Sequence, residues 1–328
     1  MILVRSPLRI TLGGGGTDLP SYYREHEGFV ISAAIDKYVY LNILKTFIEG
    51  IIIKYSKFET VKKVKDIQHP IVREVLNYFD FKPPHQIEII SLADIPSGTG
   101  LGSSGSFTTA LIKSCAMLKR RHLSQLEIAE IACHIEINKL KEPIGKQDQF
   151  ISSFGGITCF TFHKNDEVSI SPLKISPDTL LDLQDNLILF FTGFSRDAGT
   201  ILENQNSKSQ NNSFDMINNL HAVKKLGHDI HDALITGNTV LFGELMLEHW
   251  KFKKKRGNNI STALIDEWYE LAIQNGAIGG KVVGAGGGGF LMFYAHDKKL
   301  LKKTMNQVGL QDVNFRFDFE GTKNLIVS

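Results

Sequence analysis

The stretch Pro96-Ser97-Gly98-Thr99-Gly100-Leu101-Gly102-Ser103-Ser104-Gly105-Ser106 constrains this chain more than any other. Before it, Gln86 to Ala93 alternates polar and apolar residues, the pattern of a strand. After it, Phe107 to Arg121 is rich in Ala, Leu, Ile, Met and Lys, which reads as a helix. A strand, a loop with Gly at 98, 100, 102 and 105, and then a helix make a phosphate-binding arrangement. Glycine lets bare backbone N–H groups approach an anion, and the helix N-terminus adds unpaired donors and a partial positive charge. Ser103, Ser104 and Ser106 add hydroxyl donors and potential Mg²⁺ ligands. Gly100, Gly102 and Gly105 also fit G-x-G-x-x-G. A dinucleotide site, however, needs a second strand ending in an acidic residue, and a second helix follows here instead. A Walker A loop needs G-K-[ST], and no Lys lies in this loop. A Gly/Ser linker does not suit a position between two well-patterned elements. The stretch is a phosphate loop of neither common type.

Glycine is clustered elsewhere too. Of the 29 glycines, four fall at 13–16, four at 98–105 and seven at 279–289. Clusters so far apart suggest several backbones converging on one ligand. The first follows a strand over 2–12 and runs into Thr17-Asp18-Leu19-Pro20. A turn with a capping Asp18 is one reading; four consecutive glycines favour a backbone pressed against a ligand. Further strands are expected at 28–45 and 50–56, and an amphipathic helix from His69 to Phe79. Ser124-Gln-Leu-Glu127 is a capping box that opens a helix to about Lys141. Its apolar face runs through Leu126, Ala129, Cys133, Ile137 and Leu140, with Glu136 on or beside that stripe. A buried carboxylate needs a partner, so Glu136 is either a metal ligand or a solvated flank residue. In Gly145-Lys-Gln-Asp148-Gln-Phe, Asp148 is either a helix cap or the base that a hydroxyl-phosphorylating enzyme needs. The third glycine cluster leads into the strand Phe290-Leu-Met-Phe-Tyr.

A length of 328 residues suggests two domains. The polar segment 163–185, with Pro172 and Pro177, is the expected boundary, giving domains 1–185 and 186–328. Residues 204–213 are polar enough for a mobile or disordered loop, and helices are expected at 214–236, 239–250 and 261–275. The run Lys251-Phe-Lys-Lys-Lys-Arg256 reads most simply as a solvated helix end. A net charge of +2 means that any basic site must be local. Cys115, Cys133 and Cys159 lack metal or redox spacing and read as reduced core thiols. No signal peptide, nucleic-acid motif or apolar run of roughly 20 residues is seen. A soluble cytoplasmic protein without membrane or nucleic-acid partners is expected.

Three segments in order resemble the signatures of the GHMP kinase superfamily: Pro7-Leu-Arg9-Ile-Thr-Leu with Thr17-Asp18; Pro96 to Ser106; and Lys281-Val-Val-Gly-Ala-Gly-Gly-Gly-Gly-Phe290. Within it, the Gly13–Gly16 run, Gly145-Lys-Gln-Asp-Gln-Phe, and Thr192-Gly-Phe-Ser-Arg196 leading to Lys254 and Arg256 look most like the heptose 7-phosphate kinases. The resemblance implies a two-domain α+β fold. Its N-terminal domain would be ribosomal-protein-like with a left-handed βαβ unit, its C-terminal domain ferredoxin-like, and the site would lie between them. It implies ATP and Mg²⁺, with the loop residues Pro96, Ser97, Gly98, Gly100, Leu101, Gly102, Ser103, Ser104, Gly105 and Ser106 on the phosphates. Ser104 and Glu136 would hold the metal. Asp148 would take the proton of the sugar hydroxyl, with Arg9 beside it. Gly14, Gly15, Gly16, Thr17 and Asp18 would meet the sugar, Arg196, Lys254 and Arg256 its phosphate. Gly286 and Gly287, in the third cluster, would close over it. The implied reaction is anomeric phosphorylation of a sugar 7-phosphate in nucleotide-heptose synthesis, by a monomer or homodimer. Galactokinases usually read Gly-Glu-His-Thr-Asp where this chain has Gly14-Gly-Gly-Thr-Asp, which leaves room for a bulkier or more anionic substrate.

Overall fold

The computed structural model describes residues 1–194, 201–203, 205, 207, 209, 214–257 and 259–327. The chain opens with β1 (Ile2–Gly13), α1 (Pro20–His26), β2 (Gly28–Lys45), β3 (Gly50–Lys54) and β4 (Phe58–Val61). Next come α2 (Pro70–Tyr78), β5 (Gln86–Ala93), α3 (Ser103–Leu118), α4 (Gln125–Cys133) and α5 (Gln147–Phe154). β6 (Ile157–Phe162) and β7 (Val168–Pro172) close this first part of the chain.

These strands share one sheet, and β2 is its spine. Its 18 residues give it room for two neighbours along one edge: Val39–Lys45 pairs with β5, and Gly28–Ala33 with β6. β1 lies along the other edge, antiparallel, while β3 runs parallel to β5. Parallel neighbours need a crossover, here the segment that carries α2. On β1, period-two alternation turns Leu8, Ile10 and Leu12 into the core and Arg9 and Thr11 towards α5. Those last two are buried as well, so a charge and a hydroxyl are built into the interior beside the phosphate loop.

The second sheet belongs to the later chain. After α6 (Pro177–Asn186) come β8 (Leu187–Phe191), α7 (Phe214–Ile235), α8 (Thr239–Lys254), α9 (Ala263–Gln274), β9 (Ala277–Val282), β10 (Phe290–Ala295), α10 (Lys298–Gln307) and β11 (Gln311–Val313). Its four strands are antiparallel in the order β11-β8-β10-β9. That is the β-α-β-β-α-β ferredoxin-like arrangement expected for the second domain. The final strand, β12 (Lys323–Val327), leaves this half and pairs with β1, so the first sheet draws on both ends of the chain.

The expected capping box is present: the Ser124 hydroxyl accepts from Glu127 N–H while the Glu127 carboxylate accepts from Ser124 N–H. The helix does not continue regularly to Lys141. It widens into a π-helical segment, His134–Lys139, which turns Glu136 wholly inside. All three cysteines are buried free thiols. Among the described residues no helix is long and apolar enough to cross a membrane.

Candidate active site

The phosphate loop is shaped by left-handed glycines at Gly98 (φ 76°), Gly100 (φ 84°) and Gly102 (φ 78°). Only glycine takes this conformation without strain. The Leu101 side chain is buried and its carbonyl accepts from Arg9 N–H at 2.9 Å, which clips the loop to β1. Gly102 stands at the N-cap of α3 with no side chain to satisfy the first-turn amides. Those donors therefore remain free for an anion. Pro96, Ser97, Gly98 and Ser104 are exposed and Ser103 half-buried. Ser106, expected among the phosphate donors, is turned inside. Its hydroxyl is fully buried against the Pro7 carbonyl and the Ser152 hydroxyl, where the helix faces β1 and α5 rather than solvent.

The third glycine cluster packs on this loop. A Cβ on Gly100 would sit 2.6 Å from the Val283 carbonyl oxygen, and one on Gly284 2.5 Å from the Gly100 Cα. Gly286 and Gly287, expected over the substrate, meet Ile260 instead: the Gly287 N–H donates to its carbonyl at 2.8 Å. In the first cluster, Gly15 and Gly16 line the cleft, whereas Gly14 backs onto the Phe29 carbonyl. The Thr17 hydroxyl is spent on the carbonyls of Gly14 and Phe29.

Asp148 is not a helix cap. Lys146 takes the N-cap of α5, and the Asp148 carboxylate accepts two bonds from Arg9: Nε to Oδ1 at 2.7 Å and Nη2 to Oδ2 at 2.9 Å. The remaining Arg9 nitrogen reaches the Gly100 carbonyl, so one guanidinium orients both the carboxylate and the phosphate loop. A Cβ on Gly105 would lie 2.9 Å from the Asp148 Cβ, so the first turn of α3 needs glycine to approach this carboxylate. Asp18 is held by the N–H groups of Gly16 and Gln147, at 3.1 and 3.2 Å. Burial, with the nearby Asp148 charge, raises its pKa. On the far side of the loop, Glu136 accepts from the Ser104 hydroxyl and from Gln149 Nε2, the latter at 2.7 Å. Burial pushes its carboxyl up to about 7, against those two hydrogen bonds.

Two depressions flank the loop. One, on the Ser97–Gly98 side, is lined by Tyr55, His69, Leu92, Ile95 and Phe107 together with Ser103 and Ser104. The other is polar. It brings Arg9, Asp18, Gln147 and Asp148 together with Arg256, and adds three basic residues to which sequence reasoning gave no role: His249, Lys253 and Lys281. The signal was in the spacing, because 249, 253 and 256 recur at four and three residues along α8 and its last turn, one face of a helix. Lys254 points elsewhere: its Nζ pairs with Asp266 of α9 at 3.2 Å. Arg196 and most of 204–213 lie outside the described residues.

The sequence profile "GHMP kinases N terminal domain" matches residues 64–156, and "GHMP kinases C terminal" matches 230–310. The D-glycero-alpha-D-manno-heptose 7-phosphate kinase of Campylobacter jejuni is 31% identical over 98% of each chain. A crystal structure of a D-glycero-D-manno-heptose 1-phosphate kinase from Bacteroides thetaiotaomicron superposes with a TM-score of 0.81 at 24% identity, covering 100% of both chains. A putative sugar kinase from Campylobacter jejuni gives a TM-score of 0.79 at 28% identity, covering 99% of this chain and 98% of that one. The chain belongs to the GHMP kinases, and its fold is the two-domain α+β fold of that family. It is an ATP-dependent kinase.

Proposed function

We propose that this enzyme transfers the γ-phosphoryl group of ATP to the anomeric hydroxyl of D-glycero-D-manno-heptose 7-phosphate, giving the 1,7-bisphosphate. The observation that carries the reading is the Asp148–Arg9 fork, set between the phosphate loop and a cleft rich in cations. Phosphoryl transfer asks a protein mainly for positioning and charge neutralisation, and each requirement has a residue here. The loop 96–105 and the first turn of α3 cradle the triphosphate, with the base in the depression beside Phe107. Asp148 accepts the proton of the sugar hydroxyl as its oxygen bonds to the γ-phosphorus and the bridging oxygen leaves with ADP. Arg9 keeps the carboxylate aimed. Asp18, Gly15 and Gly16 meet the sugar.

Mg²⁺ fits the residues present. Among the described residues no three His, Cys, Asp or Glu side chains gather into a complete cage. Mg²⁺ sites of kinases do not need one, because one or two protein oxygens suffice when phosphates and water supply the rest. Ser104 and Glu136 are those oxygens, and Gln149 orients the carboxylate. When bound, the ion neutralises charge on the β- and γ-phosphates. The relative with the heptose 7-phosphate kinase name supports the substrate, as does the cationic cleft. A coupled ADP-release assay over a panel of sugars and sugar phosphates tests it. The expected result is turnover of heptose 7-phosphate well above that of fucose, galactose or free heptose. Preference for an unphosphorylated sugar overturns the assignment.

A further inference from the structure

Thr11 of β1 and Ser32 of β2 stand directly opposite each other in the sheet register, so both side chains rise from the same face. Both are buried, Thr11 at 7% exposure and Ser32 at 0%. Their hydroxyls converge on one atom: each donates to Gln147 Oε1 at 2.9 Å. Neither hydroxyl has another hydrogen-bond partner among the described residues. Gln147 opens α5 one residue before Asp148, and both line the polar cleft together with Thr11.

This seat fixes which end of the amide faces the cleft. An amide turned the other way would place its N–H groups on both hydroxyl oxygens. The two hydroxyl protons would then be buried without an acceptor, a cost that folded proteins avoid. With Oε1 on the hydroxyls, both protons are satisfied and both lone pairs of the amide oxygen are used. Nε2 keeps two protons that no described residue accepts. Gln147 is half-buried, so this NH2 group opens on the cleft. Asp18 is its neighbour. The Asp18 Oδ2 accepts from the Gln147 backbone N–H at 3.2 Å and lies so close over Gly145 that a Cβ there would meet it at 1.9 Å. A group that can only donate and a carboxylate that accepts thus stand side by side, next to the base.

A hydroxyl group uses both partners at once, giving its proton to the carboxylate and accepting one from the amide. Asp148 takes the proton of the reacting hydroxyl, so the group beside it is the hydroxyl on the adjoining sugar carbon. We propose that Gln147 is a specificity-determining residue, whose Nε2 donates to the hydroxyl on the carbon next to the reacting one while Asp18 accepts that hydroxyl's proton. Thr11 and Ser32 are positioning residues that keep the NH2 group turned to the cleft. A site built in this way rejects a sugar that lacks the hydroxyl, because its own polar groups are left unpaired. The inference rests on the reading of the enzyme as an anomeric sugar kinase, in which the adjoining carbon is C2.

Steady-state kinetics with heptose 7-phosphate and its 2-deoxy analogue decide it. Wild type should prefer the parent sugar at least about tenfold in kcat/KM. In Gln147→Glu and in Gln147→Met that preference should fall about 3- to 10-fold, the worth of one neutral hydrogen bond, with the KM for ATP unchanged. The ratio isolates the contact. The charge that glutamate adds, or the packing that methionine disturbs, weighs on both sugars alike, as would a purely structural role. Gln147→Glu keeps an acceptor for Thr11 and Ser32, so it should unfold near wild type, and it decides the matter if the methionine variant does not fold. A preference unchanged in the variants, or a wild-type enzyme indifferent to the 2-hydroxyl, overturns the assignment and leaves the heptose 7-phosphate reading intact. If wild type prefers an unphosphorylated sugar, the substrate reading falls. The same comparison with that sugar and its 2-deoxy form then decides the role of Gln147 on the same terms.

Discussion

Asp148 and Glu136 both approach the first turn of α3, Asp148 against Gly105 and Glu136 on Ser104, and are held differently. Asp148 presents both oxygens to Arg9 and keeps a quarter of its side chain exposed, open to the cleft. Glu136 is sealed, with one oxygen on Ser104 and the other on Gln149. Asp148→Asn keeps the shape but cannot take a proton. It should lower kcat by about 10²- to 10⁴-fold, the usual worth of general-base catalysis, while equilibrium titration still shows ATP bound. A loss under about tenfold would mean that positioning and electrostatics carry the reaction without a base. Glu136→Gln should leave the unfolding transition near that of wild type, because the amide oxygen can still accept from Ser104. Its turnover should drop by orders of magnitude and the Mg²⁺ concentration for half-maximal rate should rise; wild-type turnover with an unchanged Mg²⁺ dependence would remove Glu136 from the metal site. Both carboxylates stood out in the sequence, each with an ordinary alternative beside it. The alternatives separate only through partners distant in the chain, Arg9 for Asp148 and Ser104 for Glu136, whose side chains folding brings together.

At the scale of elements, the joint between the phosphate loop and the second sheet is a contact of backbones. Gly100 and Gly284 both have φ in the left-handed region; a Cβ on Gly284 would collide with Gly100, and one on Gly100 with the Val283 carbonyl beside Gly284. Gly100→Ala therefore adds a steric collision with the Val283 carbonyl to the cost of its φ. Gly309 shares that backbone conformation, with φ 85°, but has open space around it. Comparing the two alanine variants by denaturant unfolding isolates the contact. Gly309→Ala should cost about 1–2 kcal/mol from φ alone, and Gly100→Ala more, with a raised KM for ATP. Equal costs would show that the two glycine runs do not brace each other. Clustering of glycine was evident from the chain, and convergence followed from it. Which glycine meets which was not, and the packing of Gly286 and Gly287 on Ile260 comes only from the tertiary structure.

Across the whole molecule, the last strand ties the ends of the chain together. Thr322, just before β12, bonds the Ser6 hydroxyl at 2.8 Å and donates to the Ser152 carbonyl at 2.9 Å, while Ser6 also meets Thr109. All of these hydroxyls are buried, so each needs its partners. Thr322→Val keeps the volume, removes the hydroxyl and strands its partners. It should lower unfolding free energy by about 1–3 kcal/mol while KM values for both substrates hold. Unchanged stability would show that water replaces the lost hydroxyl.

The chain by itself determined the long strands and helices and the clustering of glycine, because these depend on periodicity, caps and glycine over short stretches, whereas the polar segment expected as a boundary holds β7 and α6. Tertiary structure decided which side chains face the cleft. The run 251–256 shows why: six residues of one composition read as a solvated end, yet the turn of α8 sends Lys253 and Arg256 inside and Lys254 out to Asp266. Charge is a property of the residue. Its burial, and the partner that burial demands, depend on the elements that pack against it.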